Sequence, residues 1–420
     1  MPPLPRSLRF AVTNPATGLH ICTIDAADSD DVERTVVDAH AAFESGVWSR
    51  APTLHRSKVL TRLARALEER VSAFAELETL QTGRVIREMR VQLSRLPEWL
   101  DYYAALLRTH QSFVAPTQGN LLNYVQRVPL GVVVQITATM STRQVSLGSA
   151  PTPVPSGVLS VLPGPGATTG KDLVSHPLVR KVDITVTNMV SNIPEYIVGG
   201  NLAAFTAELG GKVRQRIGGQ WSSFCFFVAS GQTCVSGTRL LVQSGIYDGF
   251  VSQFLEKVKS ITKRMGDPMN PKSTMGSKRG SGTVLTGGEP LKDRATFDRF
   301  DFSRDSLWKE EVFGPVVVLK KFETEKEGVE LANHSQYGLG AGIWTQNLSR
   351  AHQVAAQLQS GLVWVNTHHR NDPSSPWGGM KKAFEAYSQS KSTIVNTAPV
   401  EETLEHDDWF GDDAEDKRYG

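Results

Sequence analysis

Phe224-Cys-Phe-Phe-Val-Ala-Ser-Gly-Gln-Thr-Cys234-Val-Ser-Gly-Thr-Arg239 places a cysteine in a turn rich in glycine, serine and threonine, directly after an apolar strand or helix end. A turn of this kind can expose a thiol and aim backbone N–H groups beside it. Cys225, embedded among phenylalanines, reads as an inert core residue. Upstream lies Thr206-Ala-Glu208-Leu-Gly-Gly211-Lys212, where a carboxylate ends an extended apolar run and two glycines reverse the chain. A buried carboxylate at Glu208 could act as a base. Each segment taken alone reads as structural at least as readily as catalytic.

Outward from this stretch, strand-like and helix-like segments alternate. Leu121–Val125 and Gly131–Thr137 read as strands, and Asp28-Ser29-Asp30 precedes apolar residues at helical spacing, Val32 to Phe43, with polar side chains able to cap a first turn. Thr53 to Leu80 carries an apolar stripe that predicts one long amphipathic helix, ended by Thr82-Gly83. Its arginines alternate with Glu68, Glu69, Glu76 and Glu78, the pattern of a solvated face rather than of a nucleic-acid patch. Thr137 to Gly157 is a proline-rich loop or linker, and Gly157–Leu162 reads as a short strand leading into Gly164-Pro-Gly166-Ala-Thr-Thr-Gly170 and a helix. That glycine turn suits either a phosphate approach or a plain chain reversal.

Further on, Asp248–Met265, Glu325–Asn333 and a segment from Ser349 have helical periodicity, separated by strand-like Pro315–Phe322, Ala341–Trp344 and Leu362–Asn366. Strands separated by helices imply crossover connections and a largely parallel sheet. His368-His369 lies in a loop-like stretch before Pro373 and reads as a surface pair rather than as metal ligands.

The chain has 420 residues, 40% hydrophobic and 21% charged, with 45 Lys and Arg against 43 Asp and Glu. This length suits two domains, and the balance excludes wholesale disorder or a small stapled scaffold. The last twenty residues hold nine acids and two bases, leaving 43 bases against 34 acids in the rest. Neither value calls for a polyanionic partner. Three cysteines are too few and too oddly spaced for a disulfide framework or a zinc cluster, which points to a reducing compartment. No apolar run approaches the ~18 residues of a membrane span. The expectation is a cytoplasmic protein with no membrane or nucleic-acid partner.

Together the motifs resemble the NAD(P)-dependent aldehyde dehydrogenase superfamily. The resemblance is carried by Glu208-Leu-Gly-Gly-Lys212, Gly231-Gln-Thr-Cys234-Val-Ser-Gly-Thr-Arg239, Glu310-Glu311-Val-Phe313-Gly-Pro315 and Pro376-Trp-Gly-Gly-Met-Lys381. Asn14-Pro-Ala-Thr-Gly18, Arg127-Val-Pro-Leu-Gly-Val132, His176–Val182, Tyr337-Gly-Leu-Gly340 and Val365-Asn366 follow in the same order. The resemblance implies an α/β fold with a Rossmann-like cofactor domain over 1–211, an α/β catalytic domain over 212–385 and a small oligomerisation strand segment, near 119–130 and at 386–400. An acidic tail at 401–420 is expected to be disordered. It also implies that Cys234 attacks an aldehyde as thiolate, that Glu208 activates the water that cleaves the thioester, that Glu311 binds the nicotinamide ribose of NAD or NADP, and that Phe313 packs near the ring. Gly164 and Gly166 are the candidate nucleotide-approach glycines. A homo-oligomer, or pairing with a full-length relative, is the implied assembly.

Several family elements are missing or altered. Where the family carries an asparagine whose amide donates to the oxyanion, this chain has Met140 in Ala138-Thr-Met140, and loss of one such donor costs roughly a hundred- to a thousandfold in rate. The region that should hold a ribose-binding lysine is collapsed into Gly148–Pro155, and Val186-Thr-Asn-Met-Val-Ser191 replaces a glycine turn under the pyrophosphate. The sequence therefore supports an aldehyde dehydrogenase-like oxidoreductase. The alternatives are a catalytically impaired accessory or binding subunit, or a thiol esterase working without nucleotide.

Overall fold

In the computed structural model, Asp28 opens the first helix with a reciprocal cap. Its carboxylate accepts the Asp31 N–H at 2.9 Å, and the Asp31 carboxylate accepts the Asp28 N–H at 3.2 Å, satisfying donors that a helix start otherwise leaves bare. The structure describes residues 9–109, 113–115, 123–125, 128–137, 153–185, 204–208, 214–217, 227–276, 306–375 and 392–395. Met140, Val186–Ser191, Cys225, Pro376–Lys381 and the acidic tail lie outside them.

Strands β1 (Arg9–Thr13) and β2 (His20–Asp25) form a two-stranded sheet ahead of α1 (Ser29–Ser45), α2 (Thr53–Glu68), α3 (Val71–Thr82), α4 (Ile86–Ser94) and α5 (Leu96–Thr109). Next, β3 (Phe113–Ala115) pairs antiparallel with β4 (Asn123–Val125). A three-stranded sheet follows, ordered β5 (Val132–Thr137), β6 (Val179–Thr185), β7 (Ala204–Glu208), with β5 and β6 parallel. The chain continues through β8 (Arg214–Ile217), β9 (Arg239–Gln243), α6 (Tyr247–Lys263), β10 (Met265–Gly266) and β11 (Met275–Gly276). It closes with β12 (Val318–Phe322), α7 (Glu325–Asn333), β13 (Gly340–Trp344), α8 (Leu348–Gln357), β14 (Leu362–Val365) and β15 (Ser392–Val395). The chain divides into two compact units, one drawn from Met1–Val12, Cys22–Phe74 and Gln92–Thr206, the other from Thr13–Ile21, Ala75–Val91 and Ala207–Gly420.

In the first unit α2 lies along α5. Val59, Leu63, Ala64 and Leu67 of α2 and Val179, Val182 and Ile184 of β6 are buried. The single helix expected over Thr53–Leu80 is two, α2 and α3, broken at Glu69-Arg70. Leu67 before the break and Phe74 after it are both buried, so the apolar spacing runs through a break marked by neither glycine nor proline. The strand expected at Gly157–Leu162 does not form. Flanking Pro155, Pro163 and Pro165 cannot donate to a ladder, and the Pro163 carbonyl instead accepts the Ala27 N–H at 2.8 Å.

The second unit is built on a six-stranded sheet ordered β12-β9-β8-β13-β14-β15, with every adjacent pair parallel. Successive residues of a strand face opposite ways, and β9 shows it. Leu240 and Val242 pack with Phe250, Phe254 and Ile261 of α6, while Leu241 packs with Val329 of α7 and Val354 of α8. Helices thus cover both faces, which is why β9, β13 and β14 are apolar almost throughout. Arg239, fully buried at the start of β9, donates to the His334 carbonyl at 3.1 Å and lies 5.0 Å from the Trp308 ring centroid. Among the described residues no helix is long and apolar enough to cross a membrane.

Candidate active site

The backbone just before β9 takes a form that L-residues avoid. Ala229 (φ 52°), Ser230 (φ 56°) and Gly231 (φ 71°) are left-handed in succession. Two of them carry a β-carbon, at a cost of about 1–2 kcal/mol each. Three contacts within the unit hold this run. Glu88, buried in the first turn of α4, accepts the Ala229 N–H at 2.7 Å. Arg84 donates to the Gln232 carbonyl. Gly231 lies against the backbone of Gly314 and Pro315 so closely that a β-carbon would overlap it. The next turn, closed by the Ser236 N–H on the Thr233 carbonyl at 3.0 Å, carries Cys234. Cys234 is half-buried, packed against the buried cluster of Val235, Leu339, Leu362 and Trp364.

The other flank of the thiol is held by a histidine. His368 Nε2 lies 2.8 Å from the Val235 carbonyl oxygen, which can only accept, so Nε2 carries the proton. The imidazole is buried, its ring centroid 4.9 Å from that of Trp364, and burial pushes it down to about 4. The surface-loop reading of His368-His369 is therefore corrected: both are buried, His369 in a left-handed conformation (φ 57°). A loop-like composition gave no sign that this segment folds in beside Trp364. Among the described residues no group of three or more His, Cys, Asp or Glu could hold a metal ion.

Glu311 and Phe313, both half-buried, sit two residues apart on the turn whose Gly314 presses on Gly231. The Glu311 N–H donates to the Tyr337 hydroxyl at 3.3 Å, and Phe313 is left-handed (φ 52°). Two motifs some eighty positions apart in sequence thus meet at one glycine contact. A nicotinamide riboside needs an acceptor for its ribose hydroxyls and an apolar surface for its ring, and this turn supplies a carboxylate and an aromatic ring together, so these residues fit the group. In the first unit, Gly164 has an internal packing reason, because the Thr169 side chain occupies the place of its β-carbon. The Thr169 hydroxyl in turn donates to the Ala27 carbonyl at 2.7 Å. Gly166 has open space where a side chain would begin, and there a ligand backbone could approach.

Glu208 is the last residue of β7. The structure thus brings together Cys234 and the Glu311–Pro315 turn, and adds Arg84 and Glu88, which sequence reasoning did not single out, and His368, which it read as a surface residue. Arg84 and Glu88 lay hidden because their partners are backbone groups 148 and 141 positions away. The only cue was a cluster of charges immediately after the Thr82-Gly83 helix end.

A model of the aldehyde dehydrogenase family matches residues 5–139, 149–281 and 301–397. Human mitochondrial aldehyde dehydrogenase is 31% identical over 459 residues, covering 92% of this chain and 88% of the human protein. The 4-trimethylaminobutyraldehyde dehydrogenase of Oryzias latipes is 30% identical over 470 residues, covering 93% and 91%. Among solved structures, AldA, an indole-3-acetaldehyde dehydrogenase of P. syringae in complex with NAD+ and IAA, superposes with a TM-score of 0.79 at 26% identity, covering 91% of this chain and 90% of that one.

Proposed function

The chain belongs to the aldehyde dehydrogenase family, and from that premise we propose that it oxidises an aldehyde to a carboxylic acid through a covalent adduct on Cys234. The observation that carries this reading is the half-buried thiol on a turn held at both flanks and pressed against the Glu311–Pro315 segment. The Cys234 thiolate adds to the carbonyl carbon, forming a C–S bond and an alkoxide; sulfur is nucleophilic enough for this at neutral pH. A nicotinamide dinucleotide, if bound, would supply the two-electron acceptor needed to take this adduct to a thioester, a reading supported by the NAD+ complex of the P. syringae relative. Glu311 would accept from the ribose hydroxyls of such a group and Phe313 would offer its ring an apolar surface; Gly166, in the first unit, is the candidate nucleotide-approach glycine. Glu208 takes a proton from water, whose oxygen attacks the thioester carbon, and the C–S bond breaks to release the acid and restore the thiolate.

The test is hydride production over a panel of aliphatic, aromatic and amino aldehydes with NAD or NADP. Turnover is expected in the intact chain and a fall of at least about a thousandfold in Cys234→Ser. Equal turnover in that variant would remove Cys234 from the mechanism.

A second reading is favoured by Met140 in place of an oxyanion donor and by Val186–Ser191 in place of a glycine turn: ester hydrolysis through Cys234 and Glu208 without nucleotide, or an accessory role beside a complete relative. Calorimetry with NAD and NADP separates the readings, since the esterase needs neither. Residues 1–211 are proposed as the cofactor part and 212–385 as the catalytic part. We assign 119–130 and 386–400 to assembly; β15 lies at the edge of the six-stranded sheet, where backbone groups can pair with another chain. Light scattering on the purified chain is expected to return a dimer or larger, and a monomer would refute the assignment.

A further inference from the structure

The left-handed run before Cys234 must be held by something, and α4 supplies it. We propose that Glu88 is a positioning residue for the Cys234 turn: its buried carboxylate, by accepting the Ala229 N–H, keeps residues 229–231 in the conformation that presents the thiol. The inference rests on the reading of Cys234 as the nucleophile.

Five observations carry it. Glu88 is 2% exposed, and its bond to Ala229 is 2.7 Å long. Ala229 and Ser230 have no steric reason to be left-handed, so an outside contact must favour that conformation. Arg84 grips the same turn two residues before the thiol through the Gln232 carbonyl, so α4 and the residues just before it clasp both ends of Ala229–Gln232. Gly231 is pressed on Gly314, so a shift of this run also displaces the turn that carries Phe313. The start of α4 is itself fixed by the Ile86 N–H on the Pro268 carbonyl at 2.8 Å.

The clasp depends on charge. An ionised carboxylate accepts an N–H more strongly than a neutral acid does, and a neutral acid adds a proton that needs its own acceptor in a closed site. Burial pushes the Glu88 carboxyl up to about 7, opposed by the Ala229 N–H and then by Arg87 and Arg84. The charged groups facing it are these two arginines, of which Arg84 is also 3.6 Å from Glu78. On the turn's side, Phe227 to Thr233 contains no titratable side chain. The turn is therefore held firmly when Glu88 is ionised and slackens when it takes a proton.

The experiment is the rate at which iodoacetamide alkylates Cys234 in the full chain, read by peptide mass mapping from pH 5.5 to 9, with Cys22 as an internal reference for folding. The wild-type profile is expected to show an inflection near pH 7 beside that of the thiol itself. Glu88→Gln, which keeps an acceptor but cannot titrate, is expected to lose that inflection. Glu88→Ala is expected to slow Cys234 about tenfold at every pH while Cys22 reacts as before. If Glu88→Ala accelerates Cys22, and so reports unfolding, Glu88→Gln alone decides. A Glu88→Gln profile superimposable on wild type, or a folded Glu88→Ala with wild-type reactivity, overturns the proposal. Alkylation needs neither aldehyde nor nucleotide, so a chain that oxidises no aldehyde yet shows the Glu88 dependence would count against the dehydrogenase reading alone.

Discussion

Glu88 and His368 sit on either side of one cysteine and respond to pH in opposite directions. Burial raises the Glu88 carboxyl from 4.5 to about 7, so between those values the folded chain holds a proton that the unfolded chain has released. Stability from this group is lost as pH rises through that window. Burial lowers the His368 imidazole from 6.5 to about 4, so its contribution is present above 6.5 and is lost as pH falls toward 4. Between 4.5 and 6.5 the two oppose each other. Relative to wild type, Glu88→Gln is expected to gain stability as pH rises through its window, and His368→Gln as pH falls through its own, each by on the order of 3 kcal/mol. Urea denaturation at a series of pH values reads both slopes, and two variants that track wild type in parallel would show that neither group titrates as described. Gly231→Ala belongs to the same scale. Its left-handed φ costs a β-carbon about 1–3 kcal/mol, and overlap with Gly314 adds to this, so both stability and Cys234 alkylation are expected to fall.

At the scale of elements, β14 and the loop after it join the sheet to the site. Asn366 is left-handed, and its amide pairs with both backbone groups of Thr345, accepting at 2.8 Å and donating at 2.9 Å, so it extends the contact between β13 and β14 after the strands end. Trp364 is fully buried beneath the Cys234 turn and donates to the Arg370 carbonyl at 3.0 Å. Trp364→Ala is expected to cost about 3–5 kcal/mol in chemical denaturation, with greater damage to thiol reactivity than a cavity of equal size under α6 produces. The helices that became α6, α7 and α8 were legible nearly to the residue, because each lays one apolar face on a sheet, and two have a plain polar start: the Thr324 hydroxyl accepts the Glu327 N–H ahead of α7 and the Asn347 side chain accepts the Arg350 N–H ahead of α8. The break between α2 and α3 was not legible, because periodicity records which residues are buried and not whether the axis is continuous. Gly157–Leu162 misled for a related reason: apolar residues suggested a strand, but flanking prolines left no ladder to join.

At the scale of the whole molecule, the candidate site was half legible. Cys234, Glu311 and Phe313 could be singled out because short local motifs carry them, and the structure places their two segments in contact at Gly231 and Gly314. Arg84, Glu88 and His368 could not, because each acts on a backbone group supplied by a distant part of the chain, and a sequence does not show which carbonyl a side chain will reach. The order of the six-stranded sheet has a further consequence, for biosynthesis. Strand β8 lies between β9 and β13, and its Ala341 partner for Arg214 is synthesised 127 residues later. Parallel pairings of such long range form slowly. While the ribosome is still making the C-terminal third, one side of β8 has no neighbour, and this strand is open to other nascent chains. A message truncated before β13 should accordingly give aggregated product rather than a smaller soluble protein.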